Sequence, residues 1–301
     1  MGYGNYSHTA HSALINSRAG LGHREVFKQR ECHPLMNPKG VRLRECRDSE
    51  EHPLSLGIVF ALDVTGSMGD IPHLLATEKL PDFMKILMNC EVPDPQVLFT
   101  AIGDATSDLA PLQVGQFEST AELMDQWLTW SYLEGGGGGT GEESYELALY
   151  FLAIHTEMDC MVKRKKRGYL FISGDEQPYP VLSRHIVESL TGDRLDDDLK
   201  IEEIVAEVQK SYVPFFLIPD EARRSYQKCE PTWRNLLGDH VICMETPDDV
   251  CFVAAGAILL SERLVTGLDE TVSTLVDAGM SKKRRKAVGR TLKRLAESLA
   301  Y

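Results

Sequence analysis

An apolar run, Leu56-Gly57-Ile58-Val59-Phe60-Ala61-Leu62, leads without a break into Asp63-Val64-Thr65-Gly66-Ser67. Such a run reads as a strand buried on both faces, which confines it to the interior of a sheet with helices on either side. A helical pattern follows over residues 70–90. One carboxylate and two hydroxyls, those of Asp63, Thr65 and Ser67, therefore emerge together from the carboxyl end of a central strand. In open α/β sheets that edge is where ligands bind. Hard oxygen groups at alternate positions there suit Mg²⁺ or Mn²⁺.

From residue 55 onward, strand-like and helix-like segments alternate. Strands are expected at 57–62, 97–103, 168–173, 212–218 and 240–244, with a short edge segment at 112–117. Helices are expected at 70–90, 119–131, 143–158, 181–190, 200–210, 221–237 and 247–264; in the third, Leu147, Tyr150, Phe151 and Ile154 share one face. This alternation predicts an α/β fold: a doubly wound, mostly parallel, Rossmann-like sheet with helices on both faces. There is no internal repeat. Residues 1–54 read as a polar N-terminal arm packed on the main domain, 55–267 as that domain, and 268–301 as a basic helical tail.

The formal charge of −13 over 301 residues argues against nonspecific binding to nucleic acid or anionic membrane. The basic stretch at 282–294 is the one place where weak nucleic-acid binding is conceivable; it reads first as a solvated helix face or as a partner for the acidic body of its own chain. Lys163–Arg167 reads as a solvent-facing loop for the same reason. No apolar stretch is long enough to span a membrane, and no basic head with an apolar core marks a signal peptide. The seven cysteines are scattered, and Cys90, Cys160, Cys243 and Cys251 lie in apolar patterns as small core residues. The expected compartment is reducing and cytoplasmic. Cys32, His33, Cys46 and His52 suggest a zinc site, but their spacings match no standard pattern.

Two further oxygen-rich loops accompany the first. The glycines at 135–139 precede Thr140-Gly141-Glu142-Glu143, and Phe171-Ile172-Ser173 runs into Gly174-Asp175-Glu176. Asp-x-Thr-x-Ser, a Gly-rich turn ending in Thr before a helix, and an Asp behind a later strand come in the order and separations of a known pattern. The set resembles the metal-ion-dependent adhesion site of von Willebrand factor A (vWA) domains, over residues 55–265. The resemblance implies a divalent cation, Mg²⁺ or alternatively Mn²⁺ or Ca²⁺, bound by Asp63, Thr65, Ser67, Thr140 and Asp175. It implies an open coordination position for an Asp or Glu of a partner protein, and a cytoplasmic bacterial or phage type of member that acts as an adaptor, for instance beside an AAA+ ATPase. Many relatives have Thr-Asp-Gly where this chain has Ser-Gly-Asp, which leaves open whether Asp175 meets the metal directly or through water. The plainer reading makes Asp63 and Ser67 helix caps, which explains neither the glycines nor Asp175. Asp104, behind the 97–103 strand, reads as a loop cap ahead of a supporting acceptor.

The expected function is non-catalytic. The alternative is a Mg²⁺-dependent phosphohydrolase of the haloacid dehalogenase type with Asp63 as the nucleophile, since Asp-x-Thr-Gly-Ser is similar to that family's nucleophile loop. It leaves the glycine run without a role. A phosphate-binding loop at 135–142 fails because Glu142 stands where a Lys is needed. A serine hydrolase fails because neither Ser144 nor Ser173 lies in Gly-x-Ser-x-Gly, and His155 and His185 read as helix-surface residues.

Overall fold

The computed structural model describes residues 4–135, 141–220 and 226–299. Its central sheet is built from β1 (Leu56–Asp63), β2 (Pro95–Ile102), β3 (Leu112–Val114), β4 (Gly168–Ser173), β5 (Tyr212–Ile218) and β6 (Val241–Cys243), in the order β6-β5-β4-β1-β2-β3. All neighbours pair in parallel except β3, which lies antiparallel to β2. The α/β, mostly parallel architecture is thus as expected. Every residue of β1 and β4 is buried, because helices cover both faces and leave no solvent side for polar residues.

The chain winds from β1 outward to β3, then returns to the other side of β1 and winds out through β4 to β6. The direction of winding reverses between β1 and β4, which makes their carboxyl ends the expected ligand crevice. Beside shorter helices and one in the arm (His8–Asn16), the longer helices of the main body and tail are α1 (Leu80–Asn89), α2 (Ala121–Thr129), α3 (Tyr145–Ile154), α4 (Ile201–Ser211), α5 (Tyr226–Leu237), α6 (Val250–Ser261), α7 (Leu268–Asp277) and α8 (Arg285–Leu299). α3 packs on α4, while α6 packs on α1, α7 and α8. Phe60 sits at the middle of β1, with ring centroids 5.1 Å from Phe83, 5.9 Å from Phe99 and 5.5 Å from Phe171. It ties α1 to three adjacent strands through stacked and edge-on contacts.

Several elements differ from the sequence reading, each for a physical reason. The 70–90 segment is not one helix: a π turn at Leu75–Lys79 interrupts it. Pro81 has no N–H to continue the ladder, and the Leu80 N–H donates five residues back, to the Leu75 carbonyl. The 143–158 segment divides into α3 and a strand, Thr156–Met158, that pairs in parallel with Arg44–Cys46 of the arm. α3 is not amphipathic: Tyr145 through Leu152 are all buried, and Ile154, expected on the apolar face, is half exposed. Lys163–Arg167 is no free loop. Arg164 pairs with Asp48 and Lys166 with Glu262. Among the cysteines, Cys160 and Cys251 are buried as expected, but so are Cys46 and Cys229, while Cys90 and Cys243 are half-buried.

Truncating Phe60 removes a ring that all its neighbours pack around. Phe60→Ala is expected to lower the unfolding free energy by about 3–5 kcal/mol, read as a lower midpoint in urea denaturation. A midpoint equal to wild type would contradict the packing described.

Candidate metal centre

Three loops meet at the β1–β4 crevice. β1 ends at Asp63, directly beside Ile102 of β2, and Leu62 lies beside Ser173 of β4. The second loop is brought in by two short strands: Glu142–Glu143 pairs in parallel with Gln177–Pro178, just behind Asp175. It is fastened to β2 as well, since Ser144 N–H donates to the Gly103 carbonyl at 3.2 Å and Ser144 Oγ accepts from Ala105 N–H at 2.9 Å. Asp63, Thr65, Glu143, Ser173 and Asp175 are all buried here. Thr140 lies outside the described residues, as do the glycines at 136–139, and Ser67 is described in its backbone only, within a short 3₁₀ turn at Gly66–Gly69.

Asp63 has no solvent exposure, and no Lys or Arg pairs with it among the described residues. Its Oδ1 accepts from Thr65 N–H at 2.9 Å and from Thr65 Oγ1 at 2.6 Å; its Oδ2 accepts from the Tyr145 hydroxyl at 2.5 Å. Burial drives its carboxyl up to about 7, and the nearby Asp175 charge adds to the rise against the relief from Thr65 and Tyr145. A carboxyl kept from water without a cation is costly in its charged form, and a divalent ion is the counter-charge such a site suits.

Tyr145 also explains the departure from Thr-Asp-Gly. A Cβ added at Gly174 would lie 2.1 Å from Tyr145 Oη and 2.6 Å from Cζ. The ring fills the space beside the end of β4, so the residue there is held to glycine, and the acid of this loop falls one position later, at Asp175. Sequence reasoning missed Tyr145, because an aromatic at the start of a buried helix carries no signal beyond core packing.

It also passed over the reach of Glu143. Burial raises the Glu143 carboxyl to about 9, and the charges of Asp63 and Asp104 push the same way. Its Oε2 and the Ser173 Oγ are buried oxygens without a hydrogen-bond partner in the described structure. Asp104 is a loop cap, as expected: it accepts from Thr106 N–H at 2.9 Å, Thr106 Oγ1 at 2.7 Å and the Tyr179 hydroxyl at 3.1 Å. Among the described residues, no group of three or more His, Cys, Asp or Glu is arranged to hold a metal ion. That covers the zinc set at Cys32, His33, Cys46 and His52, whose Cys46 is instead enclosed in the core. His155 is not on a helix surface as expected; it is buried, with Nε2 2.6 Å from Asp193 and its ring stacked on Phe151.

No family model and no curated protein matches the chain. Solved structures similar to it include the pilus adhesin SpaC of Lactobacillus rhamnosus GG in its open conformation, at 11% identity and a TM-score of 0.45, covering 75% of this chain and 31% of that one. The vWF domain of the type V pili tip protein of Porphyromonas gingivalis matches at 10% identity and a TM-score of 0.42, over 70% of this chain and 96% of that one. The proximal thread matrix protein 1 of the mussel byssus matches at 9% identity and a TM-score of 0.42, over 70% and 47%. This chain spans less than half the length of the adhesin and of the byssus protein. No helix among the described residues is long and apolar enough to cross a membrane.

Removing the Tyr145 hydroxyl leaves a buried Asp63 oxygen unsatisfied, so Tyr145→Phe is expected to cost about 1–3 kcal/mol in chemical denaturation. The crevice also sets a pH dependence through Glu146, which burial raises to about 8, with Asp104 and Glu142 contributing. A carboxyl that binds its proton more tightly when folded stabilises most below its unfolded value, and that stability is lost as pH rises through the folded value. Metal-free protein should therefore lose stability on the order of 3 kcal/mol between pH 4.5 and 8 from this group. Glu146→Gln should flatten that decline in melting curves taken across the range; an unchanged slope would assign the pH dependence elsewhere.

Proposed function

We propose that this chain is a non-catalytic protein-binding module of vWA type, in which a divalent cation accepts a carboxylate from a partner protein. The observation that carries the reading is the fully buried Asp63 carboxyl at the reversal point of the sheet, paired with no Lys or Arg among the described residues, with Asp175 and Glu143 close by. Asp63, Thr65 and Asp175 would hold the ion, with Ser67 and Thr140 completing the set that the sequence resemblance implies. Mg²⁺ fits hard oxygen donors best; Mn²⁺ and Ca²⁺ are the other candidates. A bound cation supplies a Lewis-acidic position that an incoming Asp or Glu oxygen can fill.

The chain's own residues prepare that position. Thr65 fixes Oδ1 of Asp63 from two directions, and Tyr145 fixes Oδ2, so the carboxyl cannot rotate. Ser173 and Glu143 contribute buried oxygens with unused capacity. The surrounding acids, Glu142, Asp175 and Glu176, give a field that repels free anions unless the metal is present. A phosphoryl-transfer site needs positive groups around the transferring oxygens, and no Lys or Arg pairs with Asp63 among the described residues, which disfavours the aspartyl-phosphate reading. None of the seven cysteines is in a disulfide, which suits a reducing compartment, in keeping with a cytoplasmic role.

Thermal melting with Mg²⁺ against EDTA tests the metal. At metal a hundredfold above its dissociation constant the stabilisation should be about 2.7 kcal/mol, and Asp63→Ala should abolish the difference. Coincident melting curves in Mg²⁺ and EDTA would remove the cation from the mechanism. Mg²⁺-dependent phosphatase turnover that disappears in Asp63→Asn would replace binding with aspartyl-phosphate chemistry.

A further inference from the structure

A cavity of about 760 Å³ opens beside the first metal loop. One wall is loop one itself, at Val64 and Gly66; another is Tyr132 through Gly135; the third is the arm, with Arg24, Lys28 and Arg30. The arm is fixed there. Val26 and Phe27 are buried in the core, His73 Nε2 lies 3.0 Å from the Leu21 carbonyl, and His23 stacks on His73 at 4.3 Å.

The charge of this cavity is opposite to that of the protein. The chain as a whole carries −13, and many of its cations are spent on its own acids, as in Arg18–Asp125, Arg164–Asp48 and Arg284–Asp249. Arg24, Lys28 and Arg30 are exposed and take part in no ion pair among the described residues. The carboxylate of the lining, Glu134, is turned away to other work: its oxygens accept from Leu109 N–H at 3.0 Å and Ala110 N–H at 3.1 Å. Three unpaired cations thus face a cavity within the usual range for ligand pockets, about 300–1,000 Å³, and its other end is the loop of the candidate cation.

We infer that this cavity binds an acidic peptide segment of the partner protein, one carboxylate of which reaches the cation while others pair with Arg24, Lys28 and Arg30. The inference rests on the metal-bridge reading for the first contact only; the basic wall acts whether or not a cation is bound. Half-buried Tyr132 and Leu133 give the peptide's aliphatic stems apolar surface between charges. A nucleoside triphosphate fits less well, because its charge would concentrate beside the acids of the crevice rather than spread along the wall.

Fluorescein-labelled hexaglutamate, followed by fluorescence anisotropy, is the probe. The full chain should bind it more tightly in Mg²⁺ than in EDTA, and more weakly at high salt in both. The triple variant R24E/K28E/R30E should lose at least tenfold in affinity in Mg²⁺ and in EDTA alike, and R24Q/K28Q/R30Q should lose an intermediate amount. The reversal K282E/K283E/K286E in the basic tail should change affinity less than twofold. Because the three wall residues are exposed, melting curves should match wild type. Wild-type affinity in the wall variants, or an equal loss in the tail variant, would overturn the assignment; so would the absence of binding, or displacement by ATP at lower concentration than by unlabelled peptide. Identical wild-type binding in Mg²⁺ and EDTA, with loss in the wall variants, would remove the metal bridge and leave the basic pocket standing.

Discussion

The bond between the Tyr145 hydroxyl and Asp63 is the constraint around which the crevice is arranged. It is a buried, charge-assisted contact joining the first residue of α3 to the last residue of β1. Such a bond is worth more than a neutral one and is expensive to leave unmade. Once the ring is seated, the residue directly after β4 must be glycine, because a side chain at position 174 would occupy the same volume. The acid of that loop then shifts to Asp175, and α3 must start where its first residue can reach the sheet edge. That start is reached through Ser144, whose backbone and side chain both bond to the β2 loop.

The strands were legible in the sequence because each is a short apolar run between polar segments, and burial on both faces leaves no other reading for β1, β4 and β5. The oxygen-rich loops were legible because chemistry-bearing residues recur immediately behind such runs. What failed did so where context overrides pattern. Thr156–Met158 forms a strand only by pairing with Arg44–Cys46, more than a hundred residues away, and neither segment has periodicity of its own. α3 is apolar all round, so assigning it an exposed face produced a wrong orientation and an overlong helix. The π turn at Leu75–Lys79 follows from Pro81, but its position depends on which carbonyl the preceding N–H finds.

Lys163–Arg167 was misjudged in the same way, while the tail met the second of its two expected readings, a contact with the acidic body. Composition says where cations are, while their partners come from folding. Arg164 and Lys166 are held by Asp48 and Glu262, and the tail helix α8 sets Arg290 on Glu245 and Arg294 on Asp239. The tail is thereby drawn onto the acidic body of its own chain, leaving less of its charge for an outside partner. Exposed pairs of this kind contribute little individually, but they neutralise the cations that engage in them. The arm escaped notice for the opposite reason: its three wall cations are separated in sequence and look like ordinary surface residues.

Charge at the crevice is therefore divided by distance along one edge. Acids cluster around the ends of β1, β2 and β4, where a cation is needed to make an incoming carboxylate welcome. Cations stand a short way off, on the arm, where no acid among the described residues pairs with them. In the proposed binding mode an acidic segment meets the arm first, since unscreened like charges oppose its entry at the crevice itself. One end of the segment is then retained at the wall while a carboxylate is presented to the candidate metal loop. Electrostatic arrangements of this type act on association rate and on choice of partner more than on raw affinity. On that reading the arm is part of the recognition surface as well as a cover for the sheet, and its fixed points, Phe27 in the core and His23 on His73, hold it beside the end of β1.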